Sequence, residues 1–332
     1  MRNALSDLGF TEELDQNVRA IPKLDSGDLI GRINRIDRGR CSFWCISLSR
    51  LSSVDTPTEL KIGKPQQDIA VGDWIIADRH VERVKLVLPR RTSLVRRLSP
   101  DKSRFRLQTI ATNIDITFIT CSLDTAVNPR RLERELVVAH DSGAIPIVVL
   151  TKRDLVSSTV VGRSVAQVNE IAKGIESFVV SSRLGEGLTE LQSRLLPGVT
   201  AVFLGASGTG KSTLVNAMVG RVVQNTGPLR EADKRGRHTT TAVTLLQLPT
   251  RGMIVDVPGI RSVGLAIAGH GIEKTFPEIQ ELARLCRFRD CRHGSEPECR
   301  VQDAIGLGQI DSARFSNWKR LVAERTKVAN SK

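Results

Sequence analysis

The sequence predicts a multidomain α/β protein with a small β-barrel, a mostly parallel sheet wrapped by helices, and a helical metal-binding module. Three observations carry that prediction. Residues 28–88 hold short strand-like runs punctuated by Gly39, Gly63 and Gly72; residues 113–260 alternate apolar strand patterns with helical ones; Cys286, Cys291, His293 and Cys299 crowd into one short basic stretch.

At 332 residues the chain has room for about two or three domains. Hydrophobic residues make up 40% of it, interleaved with charge. No apolar run reaches the roughly eighteen residues that a membrane span needs, so no membrane partner is expected. The expected state is a monomer in the cytoplasm. Lys and Arg number 49 against 36 Asp and Glu, a net charge of +13. Such an excess reads as a polyanion-binding surface, because each phosphate contact releases a counterion; a well-solubilised surface is the plainer reading. Tyrosine is absent and aromatics are 4% of residues, which favours backbone and shape recognition of nucleic acid over base stacking.

Taken in order, residues 1–27 are polar with no signal-peptide core and are expected to be a flexible lead-in. Residues 28–95 form the first domain. Its strand candidates are Leu29–Ile36, Cys41–Leu48, Trp74–Ala77 and Val81–Val87, which suggest an OB-fold barrel. Cys41 and Cys45 lie within a strand pattern and read as packing residues. Residues 90–107 carry Arg90, Arg91, Arg96, Arg97, Lys102, Arg104 and Arg106, a basic connector that is either a solvated linker or a strip lying along nucleic acid. Residues 96–265 form the second domain. Apolar runs Ile114–Cys121, Ile145–Leu150, Ser177–Ser181, Val202–Leu204, Val243–Leu248 and Met253–Val257 alternate with helical spacings at Pro129–His140, Ser164–Lys173, Leu188–Leu196 and Lys211–Val219. This alternation means a mostly parallel sheet with ligands at the carboxyl ends of its strands. Asn128 is placed to cap the first helix, with Pro129 in its first turn. Residues 266–332 turn helical and basic.

The chemistry sits at those strand ends. Gly205-Ala206-Ser207-Gly208-Thr209-Gly210-Lys211-Ser212 is a complete P-loop between a strand and a helix. Glycines let the backbone wrap a phosphate, and the loop N–H groups and helix N-terminus supply the cradle. Lys211 reaches the β- and γ-phosphates, Ser212 ligates Mg²⁺, and Thr213 follows in the same turn. Asp256-Val257-Pro258-Gly259, after an apolar strand, matches a switch II pattern: Asp256 serves Mg²⁺ and the Gly259 amide senses the γ-phosphate. Gly236-Arg237-His238-Thr239-Thr240-Thr241 lies where switch I belongs, with Thr240 among the threonines able to close on Mg²⁺. Ile260 occupies the place of a water-orienting glutamine and cannot orient water. His238 is a candidate for that task, and reads equally as an exposed loop residue.

Thr151-Lys152-Arg153-Asp154 is a base-reading motif in which Asp154 accepts from guanine N1 and N2, donors that adenine does not present together. Lys152 lies against base and ribose. Thr151 replaces the usual Asn. Ser181 and Ser182, after the next strand, fit the element that touches guanine O6. The base motif precedes the phosphate loop, the reverse of an ordinary Ras-like GTPase, so the domain reads as a circularly permuted Ras-like P-loop GTPase whose switch II runs straight into the C-terminal part. There Cys286-x4-Cys291-x-His293-x5-Cys299 offers a Cys₃His set suited to one closed, structural Zn²⁺ site, ringed by arginines.

Together, the β-domain, the inverted motif order, the Gly-Arg-His-Thr-Thr-Thr segment and the zinc spacing resemble the ribosome small subunit-dependent GTPase A family over roughly residues 28–325. The resemblance implies a GTPase acting late in small-subunit maturation, binding GTP and GDP. It implies that the OB-fold and zinc module grip ribosomal RNA, whose contact stimulates slow hydrolysis. It implies that His238 is the catalytic residue alongside Lys211. The alternative is a GTP-dependent RNA-binding switch without a catalytic role. Val257 stands where that family often has Thr.

Overall fold

The computed structural model describes residues 5–37, 40–50, 58–63, 68–98, 106–223, 243–250, 252–257 and 270–329. Along the chain, helix α1 (Glu12–Arg19) precedes strands β1 (Leu29–Asp37), β2 (Arg40–Ser47), β3 (Thr58–Gly63), β4 (Trp74–Ala77), β5 (Val84–Val87), β6 (Ser93–Leu98), β7 (Arg106–Thr112) and β8 (Ile116–Ser122). The pattern then alternates through α2 (Pro129–Ser142), β9 (Ile145–Thr151), α3 (Ser158–Ile171), β10 (Ser177–Val179), α4 (Leu188–Gln192), β11 (Thr200–Gly205) and α5 (Lys211–Val219). Strands β12 (Thr244–Gln247) and β13 (Met253–Asp256) follow, then helices α6 (Gly271–Thr275), α7 (Pro277–Ala283), α8 (Arg300–Gly306) and α9 (Ser312–Ala329).

The sheet runs in the order β10-β9-β8-β11-β13-β12 and continues through β1, β2 and β3. Strands β8, β9, β10, β11 and β13 are parallel, and β12 runs antiparallel to β13. The parallel strands are largely apolar because both faces are covered. On one face Phe118, Val149 and Phe203 pack with Leu214 and Met218 of α5. On the other, Ile119, Val148 and Leu150 pack with Leu132 and Leu136 of α2 and Val168 of α3. Adjacent residues Phe118 and Ile119 thus enter opposite cores, as the period of a strand demands.

The order of strand addition reverses at the centre. From β8 the chain adds β9 and β10 outward on one side; β11 and β13 then build on the other. The β8–β11 boundary is a topological switch point, where the diverging loops at the strand carboxyl ends leave a crevice. Helix α2 begins as expected: the Asn128 side chain accepts from the Arg131 amide at 3.2 Å, and Pro129 opens the helix. It extends to Ser142, where Gly143 in the left-handed region stops it.

Strands β1–β5 are antiparallel in the order β3-β2-β1-β4-β5, and β1 joins the large sheet through the single pairing of Arg35 with Thr244. Cys41 and Cys45 are buried in β2, as the strand pattern implied, and burial pushes their thiols up to about 11 and about 12. Strand β3 was not anticipated; its sequence, TELKIG, is too polar to stand out.

Two expectations need correction. The stretch 5–27 is not a flexible lead-in: Leu5, Leu8, Phe10, Leu14 and Val18 are buried in the main core. Helix α1 is capped by Thr11, whose hydroxyl accepts from the Leu14 amide at 3.3 Å. Five apolar side chains spread among acidic ones pass for a polar tail until the surface that receives them is known. Of the two readings of the basic connector 90–107, the linker fails where the chain is described: 93–98 form β6 and 106–107 open β7, and in that antiparallel pair Leu94 is buried while Arg96 bonds Gln108 at 2.8 Å. The boundary expected at 95/96 falls inside β6.

One buried cation holds the joint between the β-domain and the large sheet. Arg32 of β1 is 1% exposed and donates to the carbonyls of Leu8 (2.6 Å), Asn113 (2.8 Å) and Gly72 (3.2 Å) and to the Thr200 hydroxyl (2.9 Å). Gly9 and Gly198 meet there so closely that a Cβ on Gly9 would lie 2.6 Å from the Gly198 carbonyl oxygen. At the other end, α2 carries the C-terminal helices. Glu133 pairs with Arg314 at 2.8 Å, Arg134 pairs with Glu324, and Gly271 packs where any Cβ would strike the Val137 carbonyl.

Candidate nucleotide site and metal centre

The phosphate loop begins where β11 ends. Gly205 has φ of +145°, and a Cβ there would lie 2.1 Å from the Thr120 hydroxyl, so neither the backbone nor the space admits a side chain. Gly210, at φ of +84°, starts α5. Thr209 turns inward: its hydroxyl meets that of Thr120 at 2.8 Å and donates to the Ala206 carbonyl at 2.9 Å. Ser207, Gly208 and Thr213 form the exposed rim, and Ser212 is half-buried in the first turn of α5. Lys211 folds back onto its own loop, donating to the carbonyls of Gly205 (2.8 Å) and Ala206 (2.5 Å). Burial lowers its pKa. A half-buried ammonium that donates to two carbonyls of its own loop is suited to trade them for an anion.

The base motif lies on the same edge. Parallel register aligns Thr151 with Ser122 and Gly205 with Thr120, bringing the ends of β9, β8 and β11 level. The Thr151 hydroxyl then crosses to the Thr209 carbonyl, 2.6 Å away. Motifs inverted in the chain therefore share one edge. Beyond Thr151, Lys152 takes a left-handed backbone (φ 60°) and reaches Asp124 at 2.8 Å. Arg153 is held structurally, its amide on the Val180 carbonyl and its guanidinium on Val156 and Ser158. Asp154 is half-exposed; the Ser181 hydroxyl donates to it at 2.6 Å and holds its carboxyl below the usual range. Ser182 is half-buried beside it. Asp256 closes β13, the strand next to β11.

The sites expected at His238, Thr240 and Gly259 lie outside the described residues. Two residues on this edge escaped the sequence reading. Thr120 buttresses the phosphate loop but is hidden in an apolar strand; Asp124 sits in a loop with no motif of its own.

The Cys/His set does converge. The donor atoms of Cys286, Cys291, His293 and Cys299 all lie within 4.8 Å of one another. His293 Nδ1 is 3.4 Å from the Cys299 sulfur and 3.6 Å from that of Cys286, and those two sulfurs are 3.9 Å apart. A tetrahedron with metal–sulfur bonds of about 2.3 Å has edges of about 3.8 Å, so the cage already has the dimensions of a metal site. His293 is buried, its carbonyl accepts from Gln302 at 2.7 Å, and its ring packs 5.6 Å from that of Trp318.

Fold and edge geometry define a P-loop nucleotide-binding α/β protein with permuted motif order and a Cys₃His centre appended. Residues 87–266 match the family described as RsgA GTPase. The chain is 40% identical to the small ribosomal subunit biogenesis GTPase RsgA of Streptomyces coelicolor, over 92% of this chain and 83% of that one. It is 42% identical to the protein of the same name from Xylella fastidiosa M12, over 78% and 76%. In fold it is similar to YjeQ from Thermotoga maritima (TM-score 0.62, 22% identity, 90% of this chain and 99% of that one). It is also similar to YloQ, described as a circularly permuted GTPase (TM-score 0.61, 22% identity, 91% and 96%). The chain belongs to the RsgA GTPase family, and it is a GTPase.

Proposed function

We propose that this protein hydrolyses GTP in the biogenesis of the small ribosomal subunit, using its basic surfaces to engage ribosomal RNA. The observation that carries the single-site reading is the Thr151–Thr209 hydrogen bond, 2.6 Å long, which joins the base motif to the phosphate loop. The relatives' names, small ribosomal subunit biogenesis GTPase, support the biological setting, and the net charge of +13 supports a nucleic-acid partner. They do not favour a merely non-catalytic switch.

In this reading Asp154 and Ser181 take the guanine edge, with Ser182 at O6. Loop amides from Gly205 to Ser212 wrap the phosphates, with Thr213 in the same turn. Lys211 leaves the Gly205 and Ala206 carbonyls for the β- and γ-phosphates, offsetting charge that develops in transfer. Ser212 and Asp256 are oxygen donors of the kind a hard cation takes, and Thr240 joins them from switch I; Mg²⁺ there supplies charge neutralisation. Gly259 senses the γ-phosphate, and His238 orients the attacking water that Ile260 cannot. The Cys₃His cage holds one structural Zn²⁺, and the β1–β5 sheet serves as the OB-type RNA-binding element. The protein works as a cytoplasmic monomer.

The deciding experiment is GTP turnover with and without purified small ribosomal subunits. We expect strong stimulation, abolished by Lys211→Ala and lowered by His238→Ala. Tight GTP binding with no stimulation would remove the ribosome from the account.

A further inference from the structure

We propose that Asp124 is a positioning residue for guanine-nucleotide binding, acting through Lys152. This rests on the GTPase reading above and extends it to a residue outside the motifs. Asp124 lies in the loop between β8 and α2 and holds the Lys152 ammonium at 2.8 Å. Its other carboxylate oxygen accepts from the Ser122 hydroxyl. The loop is tied to the base strand by the Leu123 amide, which donates to the Thr151 carbonyl at 3.0 Å. Thus both ends of the pair are anchored: Lys152 by its left-handed turn after β9, Asp124 by the end of β8.

The plain alternative is an ordinary surface ion pair. The two side chains are 29% and 32% exposed, and pairs in that setting contribute little to folding. Its placement argues for another use. A free lysine side chain must surrender rotamer entropy when it engages a ligand. Here Asp124 holds the ammonium beforehand, one residue after Thr151 and its bond to the Thr209 carbonyl, with ammonium protons left over for ribose and base. Preorganisation of this kind appears in affinity, not stability.

The test is a double-mutant cycle read with fluorescently labelled GDP on the full-length protein. Asp124→Ala is expected to weaken binding about tenfold. Asp124→Asn, whose single carbonyl oxygen still accepts from Lys152 while its amide group can only donate to the Ser122 hydroxyl, should recover part of the loss, to about threefold. In a Lys152→Ala background, Asp124→Ala should add nothing. Wild-type affinity in Asp124→Ala beside weakened Lys152→Ala would overturn the proposal. So would a loss that persists undiminished without Lys152, since Asp124 would then act by another route. Failure of the wild-type protein to bind labelled GDP is a separate result and would remove the GTPase reading itself.

Discussion

The Thr151 hydroxyl donates to the carbonyl of Thr209 across 2.6 Å, and Thr151 is only 1% exposed. The contact bonds the end of β9 directly to the loop between β11 and α5. Thr151→Val keeps the shape and deletes the donor, leaving a buried carbonyl short of a partner at a cost of about 1–3 kcal/mol. We expect guanine-nucleotide affinity to fall and the melting temperature to drop modestly. Titration with labelled GDP beside thermal unfolding measures both; unchanged affinity would show that the two motifs act independently.

Arg32 is the polar hub of the joint between the β-domain and the nucleotide domain. Burial lowers its pKa to about 10, so it stays charged at neutral pH. Arg32→Met leaves the Leu8, Asn113 and Gly72 carbonyls without this donor. A loss of about 3 kcal/mol is expected, since stripping buried groups of their partner is costly. Urea denaturation at pH 7.5 checks it; a loss below about 1 kcal/mol, the ordinary net worth of one hydrogen bond, would mean that the joint does not depend on the arginine.

His140, in the last turn of α2, gives a pH dependence. Burial, with Lys274 adding to it, lowers its pKa from 6.5 to about 4, so it is neutral in the folded protein at pH 7. Below pH 6.5 the unfolded chain takes up a proton that the folded chain refuses until about pH 4. Stability is therefore present above the unfolded value and is lost as pH falls through that window. After allowance for partial exposure, the effect is about 2 kcal/mol. His140→Gln should lose less stability than the parent between pH 7 and 4.5, measured by denaturant unfolding; parallel curves would contradict the assignment.

The proposed zinc site can be followed through a neighbouring ring. His293 packs 5.6 Å from Trp318, so removing zinc with a strong chelator should change tryptophan emission as the cage opens, and elemental analysis should find one zinc per chain. Cys291→Ser should lose the metal and shift the emission without chelator. Retained zinc in that variant would exclude Cys291 as a ligand.

Much of the site was legible because its cues are local. A P-loop is a strand, a turn whose glycines need positive φ, and a helix; Gly205 and Gly210 meet that demand within six residues. The Cys₃His set is similarly compact. Asp124 and Thr120 were not legible, because their importance comes from neighbours in other strands. Residues 5–19 were misread for the same reason, as the apolar surface that buries Leu8 and Phe10 belongs to later segments.

The order of motifs, the alternation of strands and helices and the identity of the donor atoms followed from the residues alone, since each is a matter of spacing along the backbone. Tertiary structure decided that β11 enters beside β8, that Thr151 meets Thr209, and that Arg32 and α2 bind the flanking parts to the nucleotide domain. Those contacts depend on strand order and register. Strand order and register are chosen by the combined burial of both sheet faces, which no single stretch of sequence encodes.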